Sequence, residues 1–223
     1  MNFLSMINDV LVRLREPKIT VIGETPYSDM LGCFINDAKR RVESAHNWMA
    51  LSTTAAVTTI PGVTSYVLDN VGTRFKVIGV YNVAQQCVVA QMPLNELSRN
   101  LRVPAPLRGS VTNYGFNGVT PEGTAAQIAG QDPLVTLYPV PSKTELICFD
   151  LYASTDALVQ DIDIPLVPGH LLVDYAYAKA IAERGEDGGI SASEASTMWH
   201  LDLADEIAIE AALFPDHLIW TAE

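Results

Sequence analysis

Apolar residues recur along this chain with two periods, helical at both ends and strand-like in the middle. Over 2–16, Phe3, Leu4, Ile7, Val10, Leu11 and Leu14 form one stripe of a helix, which Pro17 ends. A second helix is predicted over 26–48. Thr25 is placed to cap it, Pro26 fits the first helical position, and Asp29 complements the helix N-terminus. Met30, Leu31, Phe34, Ile35, Ala38, Val42 and Ala45 make its buried stripe.

The period then shortens. Residues 51–60 are rich in Thr, Val and Ala, Pro61-Gly62 is a turn signal, and 64–68 reads as the returning strand. Residues 74–81 alternate, with Phe75, Val77, Gly79 and Tyr81 on one face. A further strand is predicted over 86–92 and a short helix over 93–101. The stretch 103–133 is rich in Pro and Gly, with Tyr114 and Phe116 among polar residues. Connections beyond ~15 residues without structure of their own are usually functional or disordered, so it reads as a projecting hairpin or extended loop. Strands follow over 134–138 and 145–153, the latter setting Ile147, Phe149 and Leu151 against Cys148, Asp150 and Tyr152. Residues 154–165 are a polar return with several acids.

The helical period resumes over 168–184, with Leu171, Leu172, Tyr175, Ala178, Ile181 and Ala182 inward and Gly185 suited to a left-handed stop. Gly188-Gly189 makes a loop. Ser191-Ala192-Ser193-Glu194 matches a capping box and opens a helix to about residue 213, ended by Pro215. The predicted class is α+β. Helices from 1–50 and 164–214 form one bundle, because none buries its stripe alone. An antiparallel β-rich insertion spans 51–163, with the extended loop at 103–133, and 215–223 is a C-terminal tail.

Charge sharpens this picture. The 223 residues carry a net charge of −12, which excludes a basic nucleic-acid-binding domain of the usual kind. The total hides a split: 11 basic and 8 acidic side chains in 1–110, against 3 and 18 in 111–223. Such asymmetry points to two surfaces with different roles, or to acids placed for solubility. A hydrophobic content of 48% excludes global disorder. No stretch reaches the ~20 apolar residues of a membrane span, and the start lacks the pattern of a signal peptide. Cys33, Cys87 and Cys148 are too widely spaced for a zinc knuckle or a thioredoxin-type site and read as free, buried thiols.

Catalytic signatures are missing. There is no phosphate loop, dinucleotide fingerprint, nucleophile elbow or His-Glu-x-x-His. His46, His170, His200 and His217 show no ligand spacing, so no cofactor is implied. The best constellation is acidic: Asp202, Asp205, Glu206 and Glu210 share one face of the last helix. It reads as a solvated face, a weak metal site, or the wall of a channel for a polyanion, where repulsion prevents sticking. Lys39, Arg40 and Arg41 are the densest basic run, either a solvated face or contact with an acidic partner. Leu218, Ile219 and Trp220 either fold back on the bundle or anchor in a partner's groove.

The chain resembles bacteriophage head-to-tail adaptors of the tail tubular protein A type. The resemblance rests on Met6-Ile7-Asn8-Asp9-Val10-Leu11 with Arg15-Glu16-Pro17 and Val21, and on Ala38-Lys39-Arg40-Arg41-Val42 before His46-Asn47-Trp48. Leu137-Tyr138-Pro139, Leu151-Tyr152 and Ile164-Pro165 ahead of Tyr175 and Ala178 complete it. It covers nearly the whole chain and is weakest over 93–133. It implies a non-enzymatic virion protein of the neck, assembled in the host cytoplasm. Copies would form a dodecameric ring below the portal protein, extend the DNA conduit and receive the tail nozzle or tail tube protein. DNA is then passing cargo without specific binding, and no membrane is involved.

On that reading Pro215, His217, Leu218, Ile219 and Trp220 are candidates for portal binding, and Lys39, Arg40 and Arg41 for contact between subunits. Arg108, Tyr114, Phe116 and Asn117 are candidates for tail contact. Asp202, Asp205, Glu206 and Glu210, or the 154–163 return, would line the conduit. The alternatives are a nozzle or tail-completion protein of the same virion and, further off, a carboxylate- or metal-dependent hydrolase.

Overall fold

The computed structural model describes residues 1–119, 132–185 and 191–214. Among these the chain is mixed α+β, with five α-helices: α1 (Phe3–Arg13), α2 (Pro26–Ala45), α3 (Leu94–Leu101), α4 (Gly169–Arg184) and α5 (Ala192–Leu213). Two compact units result. One joins Met1–Leu51 to Thr155–Glu223, and the other is Ser52–Ser154.

In the helical unit α1 buries Phe3, Met6, Ile7, Val10 and Leu11. It stops before Pro17, not at it. Glu16 N–H donates to the Leu11 carbonyl (2.9 Å) and Arg15 N–H to that of Val12 (3.0 Å), with Arg15 at φ 61°. These two bonds define the left-handed helix stop, a position glycine usually fills. In α2, Thr25 and Ser28 cap each other reciprocally and Pro26 opens the helix. Leu31, Ile35, Ala38 and Val42 are buried as predicted, but Met30 is half-buried and Ala45 exposed. Gly32, Lys39 and Glu43 are buried on α2 as well. Gly32 brings α2 close to α1, since a Cβ there would lie 3.3 Å from the Phe3 ring. Trp48 folds back beyond the end of α2, its Nε1 donating to the Val42 carbonyl at 2.7 Å.

The polar return is strapped onto these helices. The Asn36 side chain brackets Leu158, accepting from its N–H (2.8 Å) and donating to its carbonyl (3.0 Å). Phe3 N–H donates to the Asp163 carbonyl at 2.8 Å.

The chain then enters α4, which packs against α1, α2 and α5 and is buried around most of its circumference. Ala182, placed inward by its spacing, is exposed. Gly185 takes φ 63° and ends α4 as its position predicts. Ser191 caps α5 through a bond from Glu194 N–H, yet only Ala195 and Trp199 of that helix are buried. The loop at Gly188-Gly189 and the stop at Pro215 lie outside the described residues.

The second unit holds β1 (Ser52–Thr58), β2 (Ser65–Val67), β3 (Phe75–Asn82), β4 (Cys87–Val88), β5 (Ala90–Gln91), β6 (Arg108–Gly109), β7 (Asn113–Val119), β8 (Pro133–Tyr138), β9 (Val140–Pro141) and β10 (Leu146–Ala153). Two four-stranded sheets, β1-β10-β3-β4 and β2-β8-β7-β5, contribute to one core, where the Tyr114 and Phe149 rings meet at 5.5 Å. Ile147, Phe149 and Leu151 fill it from β10 as their alternation predicts.

Several pairings differ from the sequence reading. The Pro61-Gly62 turn does not close a hairpin: β1 pairs with β10 and β2 with β8. Segment 86–92 crosses between sheets, β4 pairing with β3 and β5 with β7. The β5–β7 and β6–β9 pairs are parallel, so the unit is not wholly antiparallel. Within 103–133, β6 and β7 are formed, β7 antiparallel to β8; residues 120–131 are outside the described set.

A bulge reverses one face. Gly79 pairs with Asp150 and Val77 with Leu151, leaving Ile78 without an opposite residue. The extra residue inverts the alternation. Val80 and Asn82 therefore face inward, while Tyr81, expected on one face with Phe75, Val77 and Gly79, is exposed.

Glu145 lies buried at the end of β10. Asn82 Nδ2 donates to its Oε2 at 2.8 Å and Val111 N–H at 3.2 Å, and Lys143 Nζ lies 3.4 Å from Oε1. Burial alone would raise its pKa, but bonds from Ser110, Asn82, Val111 and Lys143 outweigh that and hold it below the ordinary carboxylate value.

Candidate functional site

The candidate site residues divide by whether their side chains reach the surface of their unit. Lys39 does not: it is 1% exposed, and its ammonium lies 2.8 Å from Glu43 Oε1 and 2.7 Å from the Thr155 carbonyl. A position one turn before Glu43 on the inner side of α2 turns this lysine into an interior ion pair. It leaves the surface run that the sequence suggested. Arg40 is exposed and pairs with Asp37 on its own helix. Arg41 is exposed and lies over the Tyr175 ring, 5.4 Å from its centroid; Lys179 flanks the same ring at 5.6 Å.

The acids of α5 separate in the same way. Glu210 turns back to its own chain and accepts from Met49 N–H at 2.8 Å. Glu206 lies 3.3 Å from His170 at the start of α4. Asp202 and Asp205 are exposed, with no ion pair among the described residues. They sit on a stripe with Met198, Leu201, Ile209 and Leu213, apolar side chains that are 50% to 66% exposed. The spacing predicted the shared face but not the exposed aliphatic residues beside it. A single wheel read for acids alone hides them.

The four tail-contact candidates also part. Tyr114 is buried in the core between the sheets, where burial pushes its phenol pKa up. Phe116 is half-buried against Phe75 and Tyr114, with ring centroids 5.1 and 5.7 Å away. Both lie on β7, where pairing with β8 turns the aromatic side chains inward. Arg108 and Asn117 are exposed. Pro215, His217, Leu218, Ile219 and Trp220 lie outside the described residues.

Among the described residues no group of three or more His, Cys, Asp and Glu is placed to hold a metal ion. Cys33 is exposed and Cys87 and Cys148 are half-exposed, where the sequence reading had buried thiols. No helix among them is long and apolar enough to cross a membrane. What the surface offers is apolar and charged patches, which are the chemistry of assembly.

Residues 1–213 match the SU10 adaptor protein family. The chain belongs to that family. It is a bacteriophage structural adaptor and a component of the virion, in a family that works with portal and tail proteins. No curated protein matches the chain. Three of the adaptor's described surfaces bear on the candidates: the α5 stripe, the exposed cations of the helical unit, and Arg108 with Asn117 on the β unit.

Proposed function

We propose that this adaptor assembles as a ring, dodecameric, between the portal protein and the tail nozzle or tail tube protein, and that DNA passes through it. The family match over residues 1–213 carries the reading. The −15 balance of residues 111–223 supports it, because a conduit that repels phosphate lets DNA move without adhering. The role is mechanical, so it requires no cofactor and no reaction. The 215–223 tail, with Leu218, Ile219 and Trp220, supplies the portal anchor; Arg108 and Asn117 meet the tail side. Assembly takes place in the host cytoplasm, and the finished ring resides in the neck of the virion.

The test is electron microscopy of the purified chain with and without purified portal rings. A ring docked on the tail-side end of the portal is the expected result. A chain that stays monomeric beside portal rings, or docks elsewhere on them, overturns the proposal.

A further inference from the structure

Among the exposed surfaces of the helical unit, two are of opposite charge. On α5, a helix about 33 Å long, Met198, Leu201, Ile209 and Leu213 stand at least half exposed, with Asp202 and Asp205 between them. Only Ala195 and Trp199 of its 22 residues are buried, and Leu203 and Ile207 pack partly against the core, while the stripe stays exposed. Large aliphatic side chains in a row on one helix face mark an interaction surface.

The other surface is the turn after α1. Of the helical unit's cations, Arg13 pairs with Asp174, Lys39 with Glu43, Arg40 with Asp37 and Arg184 with Glu16. Arg41 and Lys179 flank Tyr175. Arg15 and Lys18 remain, exposed and without ion pair, ring contact or side-chain hydrogen bond among the described residues. Beside them Val12 and Val21 are 50% and 55% exposed. The turn is therefore apolar and basic where the α5 stripe is apolar and acidic.

Arg15 adds a second sign. It holds φ 61° at a helix stop where glycine is favoured. A left-handed arginine is a local backbone cost at a position where the side chain makes no ion pair, ring contact or hydrogen bond among the described residues.

We propose that the α5 stripe seats the Val12–Arg15–Lys18–Val21 turn of a second copy. Charge decides the occupant. Two α5 stripes facing each other would bring Asp202 and Asp205 against like charges, whereas the turn brings Arg15 and Lys18. The contact joins different patches on the two copies, the type that propagates around a closed ring. It rests on the ring reading above and names the seam between neighbours. Asp202 and Asp205 then belong to that seam and not to the conduit wall.

Charge reversal on the full chain tests it, read by sedimentation velocity alone and with portal rings. Asp202→Lys with Asp205→Lys, and separately Arg15→Glu with Lys18→Glu, should each weaken assembly at least about tenfold. All four side chains are exposed, so melting curves should match wild type. Mixing the two reversed chains should restore assembly, because each then presents the charge its neighbour lacks. Arg15→Gly should weaken assembly while the melting temperature holds or rises. Wild-type assembly with unaffected variants overturns the seam and leaves the ring standing. Loss without rescue on mixing overturns this pairing of faces, as does intact assembly with altered DNA retention in particles. A wild-type chain that stays monomeric alone and with portal overturns the ring itself.

Discussion

Lys39 Nζ lies 2.8 Å from Glu43 Oε1, and both side chains are closed to solvent. Thr155 ties the pair to the chain's return from the β unit: its carbonyl accepts from Lys39 and its hydroxyl donates to Glu43 Oε1 at 2.8 Å. Glu43 Oε2 has no hydrogen-bond partner among the described residues. A buried pair with one open oxygen stabilises little on balance but is costly to break on one side. Glu43→Ala should lower stability by about 3–5 kcal/mol. Lys39→Met combined with Glu43→Leu should return it to near wild type. Denaturant midpoints of the three chains check this.

Glu145 gives the β unit an acid-sensitive joint. Its pKa lies below the unfolded value, so its stabilisation is fully present above the unfolded carboxyl pKa of about 4.3 and is lost as pH falls through the lower folded value. Glu145→Gln should therefore flatten the acid side of the stability profile, while the wild-type chain loses stability there. At neutral pH the variant should be weaker by about 1–3 kcal/mol, since charged hydrogen bonds become neutral ones. Urea unfolding across the acid range measures both effects.

Trp199 is the main attachment of α5. Its Nε1 donates to the Leu171 carbonyl at 2.9 Å and its ring meets Tyr175 at 5.0 Å. Trp199→Ala should cost about 3–5 kcal/mol, and Trp199→Phe about 1 kcal/mol for the lost bond. Hydrogen exchange should accelerate first in α5, because Ala195 is its only other buried residue.

Two glycines should respond differently to an added methyl. At Gly115 a Cβ would stand 2.8 Å from the Met92 carbonyl oxygen and 3.2 Å from Leu97 Cδ1, so backbone must move. At Gly79 it would meet the Tyr81 ring at 2.9 Å, and that exposed ring can swing away. Gly115→Ala should cost about 1–3 kcal/mol, and Gly79→Ala clearly less. Thermal melts of the two chains decide it.

The helices were legible because their signals are local. Thr25, Pro26 and Gly185 cap and stop by chemistry within one turn, and the Ile147, Phe149 and Leu151 alternation needs only one strand. Strand partners were not legible. Pro61-Gly62 looks like a hairpin turn, yet the partner of β1 lies far along the chain, and no local residue encodes that choice. The bulge at Ile78 hid the inversion that exposes Tyr81, since one inserted residue leaves no mark in composition. At the candidate site, charge counting found Lys39 and the α5 acids but not which are neutralised inside the chain. That depends on Thr155, His170 and Met49, all distant in sequence. Arg15 and Lys18 form no cluster in the sequence, and they stand out only once the other cations of the helical unit are paired or set over a ring.

The two units are written differently into the chain, and synthesis feels the difference. Ser52–Ser154 is one uninterrupted stretch, whereas the helical unit needs α1 and α2 from the beginning and α4 and α5 from the end. As the chain leaves the ribosome, α1 and α2 emerge with their apolar stripes uncovered. They must wait for more than a hundred residues before α4 arrives. The β unit can close in that interval. The α4 helix, buried on nearly every side, is then the keystone and the step at which the waiting stripes of α1 and α2 are covered.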